Sequence, residues 1–180
     1  MTKRDCTIDG RLQGPLRHEF FVQHLPYRLS QLLALQRWEN ELKQLIPEDQ
    51  HRRFAPCHIE ATALMARAFL NMLGISYSRT KAKLVRTSFK PDDDITAIEL
   101  GGQLVDIDSI SETDQDIIKR VLVQANKATA HITWSDYLMD GWQCLPEGVE
   151  ITLNLLRSHL YEPAGYSMEQ TWHLPSEITE

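Results

Sequence analysis

Polar side chains recur at intervals of three or four residues along one predicted helix, the stretch 113–133: Arg120, Gln124, Lys127 and His131. At that spacing they share one stripe of the helix surface. The imidazole of His131 is a candidate general acid or base, and a neighbouring cation such as Lys127 can stabilise charge that develops on a phosphate. The stripe therefore indicates a candidate site for proton transfer. Hydrogen bonds from His131 to the last helix carbonyls explain its position equally well.

The end of this helix, Ala125–His131, resembles the signature of the HEPN superfamily, compact helical domains of many prokaryotic defence and toxin–antitoxin systems. Active members carry an arginine, often followed by Asn, Asp or His, and then a histidine a few residues later. They are RNases that work without metal and usually dimerise so that two motifs meet. Asn126 matches the polar residue and His131 the histidine. The resemblance implies a helical fold, a homodimer and a site built on these two residues.

Ala125 stands where the HEPN motif has its arginine. Arg120 shares the stripe of His131 but lies about 16 Å along the helix at 1.5 Å per residue. Lys127 is one turn from His131 and substitutes only in part, because an ammonium group lacks the bidentate fork of a guanidinium. We therefore expect a non-catalytic dimerising or partner-binding module. One open alternative is a structural accessory protein without an active site. The other is a metal-independent RNase whose candidate residues are His131, Asn126, Lys127 and Arg120.

The helix 113–133 has clear start and face signals. Thr113 is the expected N-cap, with Asp116 reaching back as in a capping box. Apolar residues recur at helical spacing and form one face: Ile117, Val121, Ala125, Ala128 and Ile132. Near its end the helix is rich in alanine, which lets a second subunit or a ligand approach closely. Good helix formers packed under their neighbours are the alternative explanation of the same alanines.

Further helices are predicted from apolar residues at helical spacing. The longer ones cover Tyr27–Ile46, Cys57–Leu73 and Glu147–Tyr161. The second is expected to begin at Pro56 after a charged connector, Glu48–Phe54, and to be the central buried helix because it is apolar almost all round. The sequence therefore predicts a mainly α fold, a compact bundle of about four to five helices.

Between the second and third of these, the pattern changes to short β-favouring runs. Lys83–Phe89 is a predicted strand, and Ile95–Leu100 and Gln103–Ile107 are separated by Gly101 and Gly102. Two glycines between such runs are a hairpin signal because tight two-residue turns need positive φ angles. The sequence therefore predicts a β-hairpin, or a three-stranded meander, at about residues 83–107.

A run of cations without an intervening acid precedes and overlaps the predicted strand: Arg79, Lys81, Lys83, Arg86 and Lys90. Charge runs are usually a solvated strand or loop. The alternative interpretation is that the run forms an edge of the sheet that contacts phosphate. On this interpretation the candidate nucleic-acid-binding residues are Arg79, Lys81, Lys83 and Arg86. The formal net charge of the whole chain is −6, so RNA is not the favoured partner.

Length and charge distribution suggest three parts within the 180 residues. Residues 1–14 are an expected flexible N-terminus, 15–161 a single helical domain, and 162–180 an acidic tail. Residues 136–180 hold one Lys or Arg against eight Asp or Glu, a net charge of −7. An acidic tail can occupy a basic surface of a partner, which favours a protein partner or a second copy of the chain.

The cysteines and the N-terminus indicate the compartment. Cys6, Cys57 and Cys144 are odd in number and far apart, which argues against a disulfide framework and fits the cytoplasm. No signal peptide or membrane-spanning run is visible, so no membrane contact is expected. Neither a metal site nor a cofactor is predicted: zinc spacing and phosphate-cradling glycine motifs are missing, and His58 with Glu60 lacks the cysteine half of a deaminase signature.

Overall fold

Helices and two short antiparallel strand pairs make up the part of the chain that the computed structural model describes, residues 7–8, 11–90, 94–130 and 142–171. The α-helices in chain order are α1 (Gly14–Glu19), α2 (Leu25–Leu32), α3 (Ala34–Arg37), α4 (Glu48–Met72), α5 (Glu112–Ala130), α6 (Leu145–Leu156), α7 (Glu162–Ala164) and α8 (Met168–Thr171). Single π turns cover Phe20–His24, Trp38–Leu42 and Arg157–Tyr161. The strands are β1 (Thr7–Ile8), β2 (Arg11–Leu12), β3 (Ile75–Ser78) and β4 (Lys83–Arg86). The predicted mainly α fold with a small β-hairpin is confirmed.

Helix α4 is the element against which the other helices pack. It contacts α2, α3, α5 and α6. Its second half repeats apolar residues at helical spacing, and Ala63, Ala66, Leu70 and Leu73 are completely buried. The chain leaves the helix at Gly74, whose φ angle of +92° closes the C-terminus in the left-handed region that glycine tolerates best. The predicted position of α4 at the centre of the bundle agrees with these contacts.

The start of α4 differs from the prediction. The helix begins at Glu48 and runs through the segment predicted as a charged connector, so that Pro56 lies inside it. Proline inside a helix lacks one hydrogen bond and crowds the preceding turn, at a cost of about 3 kcal/mol. Aromatic side chains pack on both sides of the proline, where the buried Trp38 indole meets His51 edge-on at 5.6 Å and stacks on His58 at 5.0 Å.

The helix predicted at Tyr27–Ile46 is divided into shorter pieces. Helix α2 ends at Leu32, Leu33 has φ −92° and ψ 7°, and α3 starts at Ala34. The backbone N–H of Leu35 donates to the hydroxyl oxygen of Thr62 on α4, at 3.0 Å. The prediction of a single continuous helix was therefore wrong. At the break, a side chain from another helix supplies the hydrogen-bond acceptor.

The β-hairpin lies earlier in the chain than the glycine pair indicated. Strand β4 falls inside the predicted strand Lys83–Phe89, but its antiparallel partner is β3, with Ile75 opposite Arg86 and Ser78 opposite Lys83. The two runs at 95–100 and 103–107 form turns and irregular backbone instead of strands. The prediction of a hairpin turn at the glycine pair was therefore wrong.

The glycine pair has a different physical role. Gly101 has a φ angle of +89°, and a Cβ atom on Gly102 would lie only 2.5 Å from the carbonyl oxygen of His159. The next residue, Gln103, donates its backbone N–H to that same carbonyl at 2.7 Å. The glycines therefore allow the backbone of this loop to lie directly against the π turn Arg157–Tyr161. A side chain in place of the glycines would prevent this contact.

Helix α5 carries the predicted candidate residues. Its N-cap is Ser111 instead of Thr113, because the Ser111 hydroxyl accepts the backbone N–H of Asp114 at 3.1 Å. Of the predicted apolar face, Val121 and Ala125 are at most 1% exposed and Ile117 is half-buried, whereas the side chain of Ala128 and all of Ile132 lie outside what the structure describes. The described helix ends at Ala130.

Helices α5 and α6 pack closely against each other. The turns that follow α7 pack against the helical turns that follow α1. A Cβ atom on Gly148 of α6 would lie 2.4 Å from a methyl group of Val121, so the Val121 side chain packs directly against the backbone of α6. After α7, Tyr166 stacks on Phe21 with ring centroids 4.0 Å apart, and Met168 is buried. Part of the predicted acidic tail thus belongs to the core.

Candidate functional site

The predicted proton-transfer site lies partly outside the described residues. His131 is outside them, and for Lys127 the structure gives the helical backbone. Asn126 is half-buried near the end of α5. The roles predicted for these three residues therefore stay predictions.

The polar stripe on α5 is not a continuous solvent-facing surface. Arg120 is exposed, but Gln124, one turn further along, is only 4% exposed. Gln124 lies in sequence between buried Leu122 and buried Ala125, so packing covers it although its side chain is polar. The predicted stripe was wrong at this position, because neighbouring elements cover more of the helix than its apolar residues alone indicate.

Arg120 is engaged away from the helix end. Its guanidinium bonds the carboxylate of Asp116 at 2.6 Å, and Lys119 lies 3.9 Å from the same carboxylate. Burial raises the pKa of the Cys144 thiol, an effect that the positive charge of Arg120 opposes. Arg120 is therefore paired with Asp116, one turn nearer the start of α5, and the described structure does not bring it to the C-terminal end of the helix.

The predicted basic run is divided by the register of the hairpin. Arg79, Lys81, Lys83 and Arg86 are all exposed. Because side chains alternate along a strand, Lys83 and Arg86 lie on opposite faces of β4. Arg86 shares its face with buried Leu84 and donates to the carbonyl oxygen of Val105 at 3.0 Å. The structure therefore separates Arg86 from the other three, which stay at the hairpin turn and on its outer face.

A cavity lies between α2, α3, α4 and α6. This interhelical cavity has a volume of about 680 Å³ and is open to solvent on one side. Its apolar walls include buried Leu32 and Val149 and half-buried Leu35, Ile59 and Leu153. Pockets of this size and apolar character are typical of sites for small molecules and inserted side chains.

Polar and acidic side chains form the rim of the interhelical cavity. Gln36, Glu39, Glu150 and Gln143 are all exposed there. The ammonium group of Lys43 lies 2.9 Å from the carboxylate of Glu39, whereas within residues 11–90, 94–130 and 142–171 no ion pair to Glu150 is formed. The rim therefore carries a negative charge at Glu150 that no described cation neutralises.

Irregular helix geometry surrounds this cavity. The break at Leu33 and the π turn Trp38–Leu42 place Leu35 and Asn40 on the same wall, and Thr62 ties the break to α4. Breaks and π turns of this kind are enriched at functional sites. Thr62, a polar residue within an otherwise apolar helical pattern, was the sequence signal that could have indicated the site.

The aromatic cluster beside the π turn has its own electrostatics. Burial, and secondarily the positive charge of Arg37, lower the pKa of His58. His51 contacts the carbonyl oxygen of Ile46 at 2.9 Å. The cluster therefore favours a neutral His58 and packs the first half of α4 against Trp38.

Comparisons of this chain with protein-family models, curated proteins and solved structures find no match. Among the helices in the described ranges, none is both long and apolar enough to cross a membrane. A search of the described residues for three or more His, Cys, Asp or Glu side chains that could hold a metal ion finds no such group.

Proposed function

We propose that this protein is a non-catalytic partner-binding module whose interhelical cavity receives a short basic, amphipathic segment of another protein. The observation that carries the proposal is the cavity itself, about 680 Å³ with apolar walls and acidic residues at the rim. Apolar side chains of a helical segment fit such a groove, and their burial supplies most of the affinity. The proposed function rests on the properties of this cavity and not on the fold class.

Charge complementarity selects the class of partner. Glu150 is exposed at the rim, and the chain as a whole carries a formal charge of −6. A segment that places Lys or Arg beside its apolar residues therefore matches the cavity better than an acidic or neutral one.

The resemblance to the HEPN superfamily is compatible with this role and remains part of the proposal. Ala125 occupies the position of the motif arginine, and Arg120 is paired with Asp116. A protein of this kind would be the regulatory member of a defence or toxin–antitoxin pair. The cytoplasmic location likewise stays a prediction from the cysteine pattern.

Fluorescence anisotropy with two labelled helical peptides tests the proposal, one built from Leu and Lys and the other from Leu and Glu. We expect the Leu/Lys peptide to bind and the Leu/Glu peptide not to bind. Gln36→Trp, at the rim, should abolish binding by filling the cavity, whereas Gln44→Trp, exposed but outside the cavity, should not. Equal binding of both peptides, or binding that survives Gln36→Trp, would overturn the proposal.

A matched pair of charge variants isolates the electrostatic part. Glu150→Gln should weaken binding of the Leu/Lys peptide by about two- to fivefold, the value of an exposed charge pair of roughly 0.4–1 kcal/mol. Glu147→Gln, also exposed on α6 but not lining the cavity, should leave binding unchanged. Concentration-dependent self-association that Gln36→Trp abolishes would instead identify a second copy of the chain as the occupant.

A further inference from the structure

A second cavity lies between α4 and the outer face of the β-hairpin. This hairpin cavity has a volume of about 840 Å³. Ser76 and Thr87 line it from the hairpin, and Arg67 and Asn71 line it from α4. It is distinct from the interhelical cavity, which α4 lines with Ile59 and Thr62.

The register of the hairpin explains why one of its faces is polar. Ser76 pairs with Val85 and Ser78 with Lys83, and paired residues point to the same side of an antiparallel sheet. Because strand residues alternate, Thr87 continues the face of Lys83 and Val85 as the chain leaves β4. The hydroxyl groups that enter the cavity thus share a face with an exposed cation, Lys83.

One atom of this cavity lacks a hydrogen-bond partner. The hydroxyl oxygen of Thr87 is buried and forms no hydrogen bond within the part of the chain that the structure describes, although the backbone N–H of Thr87 donates to the carbonyl oxygen of Gly74 at 2.9 Å. A buried hydroxyl without a partner is costly, so native proteins supply water or a ligand group at such a position. The room beside Thr87 is large enough for a nucleotide-sized molecule.

The other lining groups determine the chemistry that this site accepts. Arg67, Asn71 and Ser88 are further potential donors, and the guanidinium fork of arginine matches phosphate geometry. Asp94, the one carboxylate among the described residues that line the cavity, accepts the backbone N–H of Lys90 at 2.7 Å. Phe89 adds an aromatic surface on which a flat ring can stack.

We propose that the hairpin cavity binds a nucleotide-sized phosphate monoester, with Arg67 and Thr87 holding the phosphate and Phe89 covering the flat apolar part. The proposed site includes residues of α4 that the sequence patterns did not indicate as binding residues.

Isothermal titration calorimetry on the full chain tests this assignment with AMP, inorganic phosphate and adenosine. We expect AMP to bind more tightly than either inorganic phosphate or adenosine. Adenosine binding as tightly as AMP would overturn the phosphate site. Inorganic phosphate binding as tightly as AMP would overturn the role of Phe89.

Matched variants locate the binding on the surface. Arg67→Met should weaken AMP binding about tenfold or more, since a charge-assisted hydrogen bond is lost. Arg53→Met, at an exposed arginine of α4 that does not line the cavity, should leave AMP binding unchanged. Equal effects of the two substitutions would exclude this site.

Thr87→Val provides a second test, which remains valid if the Arg67→Met variant does not fold. The substitution keeps the shape of the side chain and removes the hydroxyl, which in the free protein has no partner. We therefore expect unchanged or slightly higher thermal stability together with AMP binding weakened several-fold. Unchanged AMP affinity in Thr87→Val would contradict the assignment of this hydroxyl.

Discussion

The backbone N–H of Leu35 donates a hydrogen bond to the hydroxyl oxygen of Thr62 at 3.0 Å, and this bond joins the broken helix at Leu33 to the central helix α4. Thr62 is 1% exposed, so its hydroxyl group is a buried acceptor. Both residues also line the interhelical cavity. The bond therefore maintains the shape of the wall against which we propose the partner segment packs.

Thr62→Val should remove this acceptor while keeping the volume of the side chain. A buried N–H without a partner costs about 1–3 kcal/mol, so the free energy of unfolding should fall by that amount. Amide hydrogen exchange of Leu35 should become faster. Thr62→Ser keeps the hydroxyl and serves as the control, in which we expect Leu35 to stay protected. If Leu35 exchanges equally slowly in both variants, the bond is not what holds the break.

Gly148→Ala should destabilise the contact between α5 and α6. The new Cβ atom would lie 2.4 Å from a Val121 methyl group, and overpacking of a core costs about 1–3 kcal/mol. This loss exceeds the gain of up to about 1 kcal/mol from the better helix propensity of alanine. Chemical denaturation measures the change.

Two further variants make this test specific. Gly14→Ala, at a glycine with no atom within 4 Å of the added Cβ, should not destabilise the protein. Combining Gly148→Ala with Val121→Ala should restore part of the loss, because the clash is removed. Strictly additive losses in the double variant would show that the two residues do not compete for the same space.

Arg17 carries a buried Nε atom that has no hydrogen-bond partner among the described residues, and its guanidinium packs over Gly101. Methionine keeps a long apolar side chain without the unsatisfied donor. Because an unpaired buried donor of a charged group costs about 1–3 kcal/mol, we expect Arg17→Met to leave stability unchanged or to raise it. Arg28→Met is the control, since Arg28 bonds the carbonyl oxygen of His24 at 3.3 Å. A large destabilisation by Arg17→Met would contradict this expectation.

His58 should make stability depend on pH. Its pKa is lowered in the folded protein by burial and by Arg37, so the unfolded chain binds the proton more readily. Its contribution to stability is therefore complete above the unfolded pKa of about 6.5 and is lost as the pH falls from there through the folded pKa. His58→Phe keeps the stack on Trp38 without titrating. Denaturation at pH 7.5 and pH 5 should show a smaller pH effect in this variant than in the original protein.

The proposed binding role also predicts the outcome of an RNase assay in EDTA. We expect no cleavage above background, and no change in His131→Ala, because Ala125 replaces the motif arginine and Arg120 is paired with Asp116 at 2.6 Å. Cleavage that survives EDTA and disappears in His131→Ala would instead establish the metal-independent RNase.

The sequence by itself determined the helices whose apolar faces are long and regular. Ala63, Ala66 and Leu70 indicated the central helix because helical spacing places them on one face, whatever packs against them. Gly74 indicated where that helix ends, since only glycine readily adopts the left-handed conformation there. Signals of this kind depend on neighbours within the same segment.

Only the tertiary structure decided features that depend on contacts between distant segments. Helix α4 continues through Pro56, in a segment where Trp38 stacks on His58, and Gly102 allows a close approach to His159 instead of forming a hairpin turn. Both cavities likewise form between elements far apart in the chain. The physical reason is that a local pattern records backbone preference and amphipathicity, whereas a cavity or a broken helix depends on which side chain another segment brings to it.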